Sequence, residues 1–275
     1  QALRQTGSAF KPFIYAAALD LGMSPYDLID DVETCWTVRG SGDWCPQNYD
    51  REFKGPVTMT QALAESRNIP AVVLSEQMGR EIVRNVATDF GIESDLAAGP
   101  ALALGVSEST LIEMTGAFAG ILNGGTSVQP YGITSLRLLE ESEPLAGRTG
   151  GIGERVIRTQ TARELTYMMH EVIQKGTGQR AQIDGIEIAG KTGTTNDSVD
   201  AWYIGYIPQL LTGVYVGFDK PRRMGRSETG SRAAAPIWID FMKNAVTNLP
   251  TEQFKQPPVI TTVKIHKSGR QACIC

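Results

Sequence analysis

Apolar positions in the first two thirds of the chain recur at helical spacing. One helix is predicted to begin at Ser8, to continue through the apolar run at 13–19 and to end at Gly22. A second is predicted over 58–65, because the run Thr58-Met59-Thr60-Gln61 has the pattern of a capping box. Three further helices are predicted at 80–90, 108–122 and 160–175.

The pattern changes to a period of two near residue 185. Three strands are predicted at 185–191, 201–206 and 211–218, and their short connections indicate an antiparallel meander. A closing helix is predicted at 236–246, followed by a tail with one candidate strand at 259–265. Helices followed by a meander are typical of an α+β fold.

Less regular stretches lie between these elements. Residues 132–139 are predicted to form a strand and 140–158 an exposed excursion, whereas 30–56 has the composition of an irregular loop. The pair Asp30-Asp31 within that loop is interpreted as solvated. Cys35 and Cys45 flank a Gly-rich segment, which a disulfide between them could close. The alternative is two reduced cysteines in a loop.

Composition narrows the classes of function. The 275 residues are 41% hydrophobic with a net charge of −4 and carry no long basic run, which argues against a nucleic-acid partner. No apolar stretch is long enough to cross a bilayer. His170 and His266 lack metal-ligand spacing, and Cys273 and Cys275 have no partner pattern, so neither a metal site nor a cofactor is predicted. His170 is interpreted as structural.

Ser8 and Lys11 form the one Ser-x-x-Lys pattern in the chain, at the start of the first predicted helix. Residues three apart lie on the same face of a helix, so the amine can reach the hydroxyl. A desolvated, neutral lysine can take the proton of a serine and activate it as a nucleophile. By itself the pattern is weak, because a helix cap beside a solvated lysine has the same spacing.

Two later patterns complete the set of candidate residues. Ser66 and Asn68 stand before Pro70, which predicts a break between two helices where both side chains face one cavity. Lys191-Thr192-Gly193-Thr194-Thr195 ends the first predicted strand, where a lysine and hydroxyls suit a carboxylate and glycine admits a substrate backbone. Ser66 follows Ser8 by 58 residues, and Lys191 follows Ser66 by 125.

This ordered triplet resembles that of the penicillin-binding proteins and class A β-lactamases. Additional segments resemble the transpeptidase domain of the class A, bifunctional, high-molecular-weight penicillin-binding proteins, over nearly all of residues 1–247. They are Trp44–Tyr49, Phe53–Thr58, Gln61–Ala71, Asn123–Gly125, Lys175–Gly178 and Gly190–Thr195.

The resemblance implies a role for each candidate residue. Ser8 is implied as the acylated nucleophile and Lys11 as its base, while Ser66 shuttles a proton and Lys191 tunes the site electrostatically. Asn68 is implied to hold the substrate peptide. Thr192, Gly193, Thr194 and Thr195 are implied to bind or flank its terminal carboxylate, and the backbone N–H groups of Ser8 and Thr194 to form an oxyanion hole.

The same resemblance implies a serine β-lactamase/D,D-peptidase-like fold, with helices on both faces of a five-stranded antiparallel sheet. Two strands normally precede the serine helix and are missing, so 1–249 is interpreted as a partial transpeptidase domain and 250–275 as a tail. The implied partners are peptidoglycan stem peptides, β-lactams and an upstream glycosyltransferase domain. The implied location is the periplasmic face of the bacterial inner membrane, with an anchor outside this chain.

The function predicted from this resemblance is cross-linking of D-Ala-D-Ala stem peptides through a serine acyl-enzyme. A β-lactamase is an alternative and would need a carboxylate to activate water, for which Glu93, Glu108 and Glu113 are available. A D,D-carboxypeptidase and a non-catalytic β-lactam sensor domain also stay open, because the motifs do not distinguish them.

Overall fold

The computed structural model describes residues 2–257 apart from 39, 140, 148–150 and 226. Its helices are α1 (Lys11–Asp20), α2 (Met59–Ala64), α3 (Asn68–Met78), α4 (Arg80–Asp89), α5 (Leu111–Leu122), α6 (Thr159–Gln174) and α7 (Ala235–Ala245). Its strands are β1 (Arg4–Gln5), β2 (Leu28–Asp31), β3 (Trp36–Val38), β4 (Gly42–Trp44), β5 (Gly55–Thr58), β6 (Glu108–Ser109), β7 (Thr126–Val128), β8 (Ser135–Leu136), β9 (Ala146–Gly147), β10 (Ile152–Arg155), β11 (Ala189–Thr194), β12 (Asp200–Ile207) and β13 (Leu210–Gly217).

Helix α1 lies at the centre of the core. Its residues from Lys11 to Leu19 are all buried, as expected for a helix that is apolar on every side. It packs against α3, α4 and α6. The ring of Phe13 contacts those of Phe90 and Phe118, at centroid distances of 6.2 and 5.9 Å. The lysine of the first motif therefore stands at the start of a helix that is buried along nearly its whole length, and the serine stands in the turn just before it.

The predicted meander is present as a three-stranded antiparallel sheet in the order β11-β12-β13. Helix α6 packs against β11, and helices α5 and α7 pack against β13. Among the described residues β13 pairs only with β12, and no fourth or fifth strand joins this sheet. Beside β13 lies an apolar groove of about 560 Å³ whose lining includes Leu111, Trp202 and Tyr215.

The segment 30–56 is more ordered than its composition predicts. Strands β2 and β5 pair with each other, and a β3–β4 hairpin lies between them. The two cysteines at the base of that hairpin form a disulfide, with 4.2 Å between the Cα atoms of Cys35 and Cys45. The interpretation of Asp31 as solvated is wrong, because the residue is completely buried.

Other parts differ less from the prediction. Of 132–139 only the two residues of β8 form a strand, and the excursion 140–158 contains β9 and β10. The described part of the tail docks through Phe254, whose ring contacts those of His170 and Tyr206. The candidate strand 259–265, Cys273 and Cys275 lie outside the described residues. None of the helices in the described ranges has the length and apolar character that crossing a membrane requires.

Candidate active site

Ser8 lies in a one-turn 3₁₀ helix, Gly7–Phe10, that leads directly into α1. The turn begins at Gly7, one residue before the predicted helix start at Ser8, and Thr6 occupies its N-cap position. Gly7 has a φ of +52°, and a Cβ added there would lie 2.5 Å from the carbonyl oxygen of Thr194. Only glycine therefore lets the serine turn approach β11 this closely.

Lys11 is fully buried at the first position of α1. Its Nζ donates hydrogen bonds to the backbone oxygen of Ser66 at 2.6 Å and to Asn68 Oδ1 at 2.7 Å. The hydroxyl of Ser66 lies 3.3 Å away. Two short bonds to acceptors fix the amine in position. If the amine is neutral, these bonds use both of its N–H groups and leave its lone pair free to accept a proton.

Lys191 approaches the same hydroxyl from the sheet. Its Nζ donates to Ser66 Oγ at 2.8 Å and to the backbone oxygen of Thr192 at 3.1 Å. Ser66 Oγ thus lies between two buried lysines, one from α1 and one from β11. The φ of Ser66 is +58°, and the predicted helix break is present there, with α3 beginning at Asn68. Helix α3 includes Ile69 and Pro70, so Pro70 does not exclude helical geometry from its neighbour.

Burial changes the acid–base character of both amines. It lowers the pKa of Lys191 to about 7. Burial and the positive charges of Lys191 and Arg67 also lower the pKa of Lys11 well below its ordinary value, and Asp31 opposes this change. A buried amine without a carboxylate partner at hydrogen-bond distance favours its neutral form. The lowered pKa of Lys11 therefore favours the neutral amine that a base requires.

The buried Lys191 is expected to make folding stability depend on pH. Its pKa is about 7 in the folded protein and about 10.5 in the unfolded chain, so the unfolded chain binds more protons between these values. The free energy of unfolding should then rise with pH across this window, by up to about 1.4 kcal/mol per pH unit. Urea unfolding of the wild type and Lys191→Met between pH 7.5 and 9.5 measures it. An equal slope in both proteins would contradict the assignment.

The threonines after Lys191 have different environments. The hydroxyl of Thr192 lies 2.8 Å from that of Thr177, and Thr194 Oγ1 accepts a hydrogen bond from the N–H of Gly230. The hydroxyl of Thr195 donates to Asp200, and both residues are buried. These contacts do not support the prediction that the Thr195 side chain meets substrate.

A Cβ added at Gly193 would lie 2.6 Å from the backbone oxygen of Thr6. The absence of a side chain there serves the packing of β11 on the segment before Ser8. That this glycine admits a substrate backbone stays a prediction.

Glu113 is one of the three carboxylates that the sequence offers for activating water in a β-lactamase, but in the structure it caps a helix. Its two oxygens accept hydrogen bonds from Ser94, Ser109 and Thr110, and with Thr110 it forms the capping box of α5. Burial raises its pKa, but these hydrogen bonds outweigh burial and lower it to about 2. A carboxylate of this kind is a poor proton acceptor at neutral pH. Glu93 and Glu108 are exposed.

No group of three or more His, Cys, Asp or Glu side chains that would suit a metal occurs in the described ranges. The Nδ1 of His170 lies 2.8 Å from the backbone oxygen of Ile188, so this ring nitrogen is engaged within the protein. This contact agrees with the structural role predicted for it.

Arg67, between Ser66 and Asn68, was not among the residues singled out from the sequence. It is 4% exposed and forms ion pairs with Asp31 and Asp50. The sequence contained one indication that Asp31 is buried. In a strand, Asp31 and Ile29 lie on the same face, and Ile29 is apolar.

The comparisons with known proteins agree with the fold. The family model of the penicillin-binding protein transpeptidase domain matches residues 1–243, and the chain belongs to this family. Penicillin-binding protein 1A of Aquifex aeolicus is 39% identical over 272 residues, which cover 97% of this chain and 36% of that protein. The corresponding protein of Neisseria lactamica is 36% identical over 266 residues, covering 94% and 33%. The chain spans about a third of the length of these relatives.

Solved structures show the same architecture. Penicillin-binding protein 1A from Haemophilus influenzae superposes with a TM-score of 0.86 at 32% identity, covering 94% of this chain and 44% of that one. The penicillin-binding protein PonA1 from Mycobacterium tuberculosis superposes with a TM-score of 0.81 at 25% identity, covering 100% and 78%. Penicillin-binding protein A of M. tuberculosis, in a ceftriaxone acyl-enzyme complex, has a TM-score of 0.76 at 25% identity, covering 89% and 61%. The fold class predicted from the sequence is confirmed.

Proposed function

We propose that this chain is a D,D-transpeptidase that cross-links peptidoglycan stem peptides through an acyl-enzyme on Ser8. The observation that carries the proposal is that the amines of Lys11 and Lys191 lie 3.3 and 2.8 Å from Ser66 Oγ, with Lys11 three residues after Ser8 in the chain. Such an arrangement supplies a nucleophile, a buried base and a proton relay, which are the parts that acyl transfer requires.

The acylation step begins with proton transfer from the hydroxyl of Ser8 to the neutral amine of Lys11. The oxygen of Ser8 attacks the carbonyl carbon of the penultimate D-Ala, and the N–H groups of Ser8 and Thr194 stabilise the negative oxygen that forms. The carbon–nitrogen bond to the terminal D-Ala then breaks. Ser66 passes the proton held by Lys11 to this leaving amine, and an ester of Ser8 remains.

The second step transfers the acyl group. An amine of a neighbouring stem peptide attacks the ester carbon and loses a proton through Ser66 to Lys11. The ester bond breaks, and the hydroxyl of Ser8 is restored. Asn68 holds the donor peptide throughout. In the first step, before the terminal D-Ala leaves, Lys191, Thr192 and Thr194 provide the charge and donors for the carboxylate of that residue. Bound β-lactams would acylate Ser8 in the same first step.

The carboxylates support a transpeptidase over a β-lactamase. Hydrolysis of the acyl-enzyme needs a base for water, and Glu113 is occupied as a helix cap. A D,D-carboxypeptidase uses water as acceptor and needs the same help. A sensor domain would be acylated without turning over peptides, so cross-linking of a stem-peptide donor and an acceptor amine distinguishes it.

A penicilloyl-enzyme that persists for minutes or longer is the expected result, with about one drug consumed per site. General-base help is worth about 10²–10⁴ in rate, and the acyl-enzyme of a site without it deacylates slowly. The tethered ring of the drug also blocks the approach of an amine. Hydrolysis of benzylpenicillin, sampled after mixing with excess drug, measures this. Sustained turnover of many equivalents per minute would favour the β-lactamase.

The setting of the reaction is part of the proposal. A disulfide such as that between Cys35 and Cys45 is typical of oxidising compartments, which supports the extracytoplasmic side of the inner membrane. The relatives are about three times as long as this chain. This length leaves room for an upstream glycosyltransferase domain and a membrane anchor. We assign residues 1–249 to the transpeptidase domain and 250–275 to a tail.

A further inference from the structure

The side chain of Arg67 is anchored in a polar network that includes the buried Asp31 at the end of β2. Its Nε and one terminal nitrogen each lie 2.8 Å from Asp31 Oδ2. Its other terminal nitrogen lies 2.5 Å from Asp50, and the backbone oxygen of Glu52 accepts a further bond. Arginine thus uses its planar fork on two carboxylates and a carbonyl at once. A residue held in this way cannot rotate without leaving buried charges unpaired.

Asn48 links this network to the start of α3. Its Nδ2 donates to Asp31 Oδ1 at 2.7 Å, and its Oδ1 accepts from the backbone N–H of Asn68 at 2.7 Å. The N–H of Ile69 lies 3.4 Å from the same oxygen. The first N–H groups of a helix need acceptors, and Arg67 at the N-cap supplies none. Asn48 therefore caps α3 from a segment twenty residues earlier in the chain.

The neighbouring backbone orients the amide of Asn68. Its Nδ2 donates to the backbone oxygen of Gln47 at 2.7 Å, which turns its Oδ1 toward Lys11. Ser66 has a φ of +58° without being a glycine. Such a conformation persists only where the surroundings over-determine it. The adjoining Arg67 and Asn68 are held by contacts from residues 31–52, which restrain the turn that contains Ser66.

We propose that Asp31, Asn48 and Arg67 are positioning residues that fix the turn 66–68 so that it holds the amine of Lys11 for acylation. This inference rests on the proposed function of Lys11 as the base. Both short acceptors of Lys11, the backbone oxygen of Ser66 and Asn68 Oδ1, belong to this turn. A displacement of about 1 Å in a reacting group can cost about 10²-fold in rate. Loosening the network should therefore slow the chemical step more than it weakens drug binding.

Asp31→Asn and Asn48→Ser test the proposal in the full-length protein. Stopped-flow acylation by nitrocefin separates the first-order acylation constant from the dissociation constant of the initial complex. Each variant is expected to lose about 10–100-fold in the first constant, with less than about a threefold change in the second. Arg67 keeps Asp50 as a partner in both variants, so no charge is left alone.

Asp20→Asn is the matched control. Asp20 also binds an arginine and a threonine, Arg158 and Thr161, but at the opposite end of α1 from Lys11. It is expected to lower the melting temperature while leaving acylation within about twofold of the wild type. If all three variants lose rate in proportion to their loss of stability, the network is only structural and the inference fails.

The pH dependence of acylation gives a second readout that a structural role would not move. Lys11 is faced by the positive charges of Lys191 and Arg67 and by the negative charge of Asp31. Asp31→Asn should shift the acidic limb of the profile to lower pH, whereas Asn48→Ser changes no charge and should leave it in place. Identical limbs in both variants, or an unchanged acylation constant, would overturn the inference.

Different results would contradict the proposed acyl-enzyme on Ser8 and the proposed positioning role of the network. A wild-type protein that forms no acyl-enzyme on Ser8 contradicts the proposed function. A wild type that is acylated there, together with an Asp31→Asn variant that is acylated equally fast, contradicts only the positioning role. A variant too unstable to assay is replaced by Arg67→Lys, which keeps the buried charge but loses the fork, and the same loss of rate is expected.

Discussion

Replacing Ser8 with alanine is expected to abolish covalent labelling by penicillin. In the proposed mechanism the oxygen of Ser8 becomes part of the ester, so no other group of the site can substitute for it in the first step. Loss of a catalytic serine can cost about 10⁶-fold, and labelling should fall below detection. A fluorescent penicillin followed by denaturing electrophoresis measures it over minutes to hours.

Ser66→Ala is the control for that experiment. It removes the hydroxyl between the two lysines and keeps the proposed nucleophile, so labelling should become slower without disappearing. Label that survives Ser8→Ala, or label that is lost only in Ser66→Ala, would exchange the roles of the two serines.

Lys11→Met is expected to slow acylation by about 10²–10⁴-fold, the usual contribution of a general base. Methionine fills much of the space of the buried side chain and leaves the helix intact, so the loss reports on the amine. In the wild type the rate should fall as the pH drops and Lys11 takes up a proton. The measurement is the second-order acylation constant of both proteins between pH 5 and 9.

Lys175→Met is the matched control for Lys11. Lys175 is exposed, and within the described part of the chain its amine pairs with Glu171 in the adjoining turn alone. The Lys175→Met variant should be acylated at the wild-type rate, since surface ion pairs of this kind contribute little to stability. A Lys11→Met variant within about tenfold of the wild type would show that another group accepts the proton.

Elements with long, local patterns could be predicted from the sequence. The helices α4, α5 and α6 lie within a few residues of their predicted bounds, because their apolar spacing is regular. Thr58 caps α2 as expected, by accepting a hydrogen bond from the N–H of Gln61. The other half of that capping box is not formed, since the side chain of Gln61 binds Glu65 instead.

Short polar strands could not be predicted in the same way. Strands β2 and β5 have four residues each and pair across a long connection, so neither carries enough alternation to be recognised. The partners of Asp31 are Asn48 and Arg67, which lie 17 and 36 residues away in sequence, so no local pattern links them to it. A carboxylate looks solvated until its distant arginine is brought beside it by the fold.

The candidate site also has features that local sequence patterns predict and features that depend on the packing of distant elements. The helical spacing of Ser8 and Lys11 and the position of Lys191 on a strand followed from local patterns. The convergence of both amines on Ser66 depends on how α1 and β11 pack, which no local pattern shows. The bond from the hydroxyl of Thr195 to the buried Asp200 likewise depends on the fold, and the ligand contact expected from its place after the Lys-Thr-Gly run stays a prediction.

The most direct test is to locate the drug on the wild-type protein. After reaction with benzylpenicillin, reduction and trypsin digestion, Ser8 lies in the peptide 5–39, because the bond after Lys11 precedes a proline, and Ser66 lies in the peptide 55–67. The account predicts the mass of one penicilloyl group on 5–39, with fragment ions that place it on Ser8 rather than Ser24. An adduct on 55–67, or an unmodified protein beside fully hydrolysed drug, would contradict it.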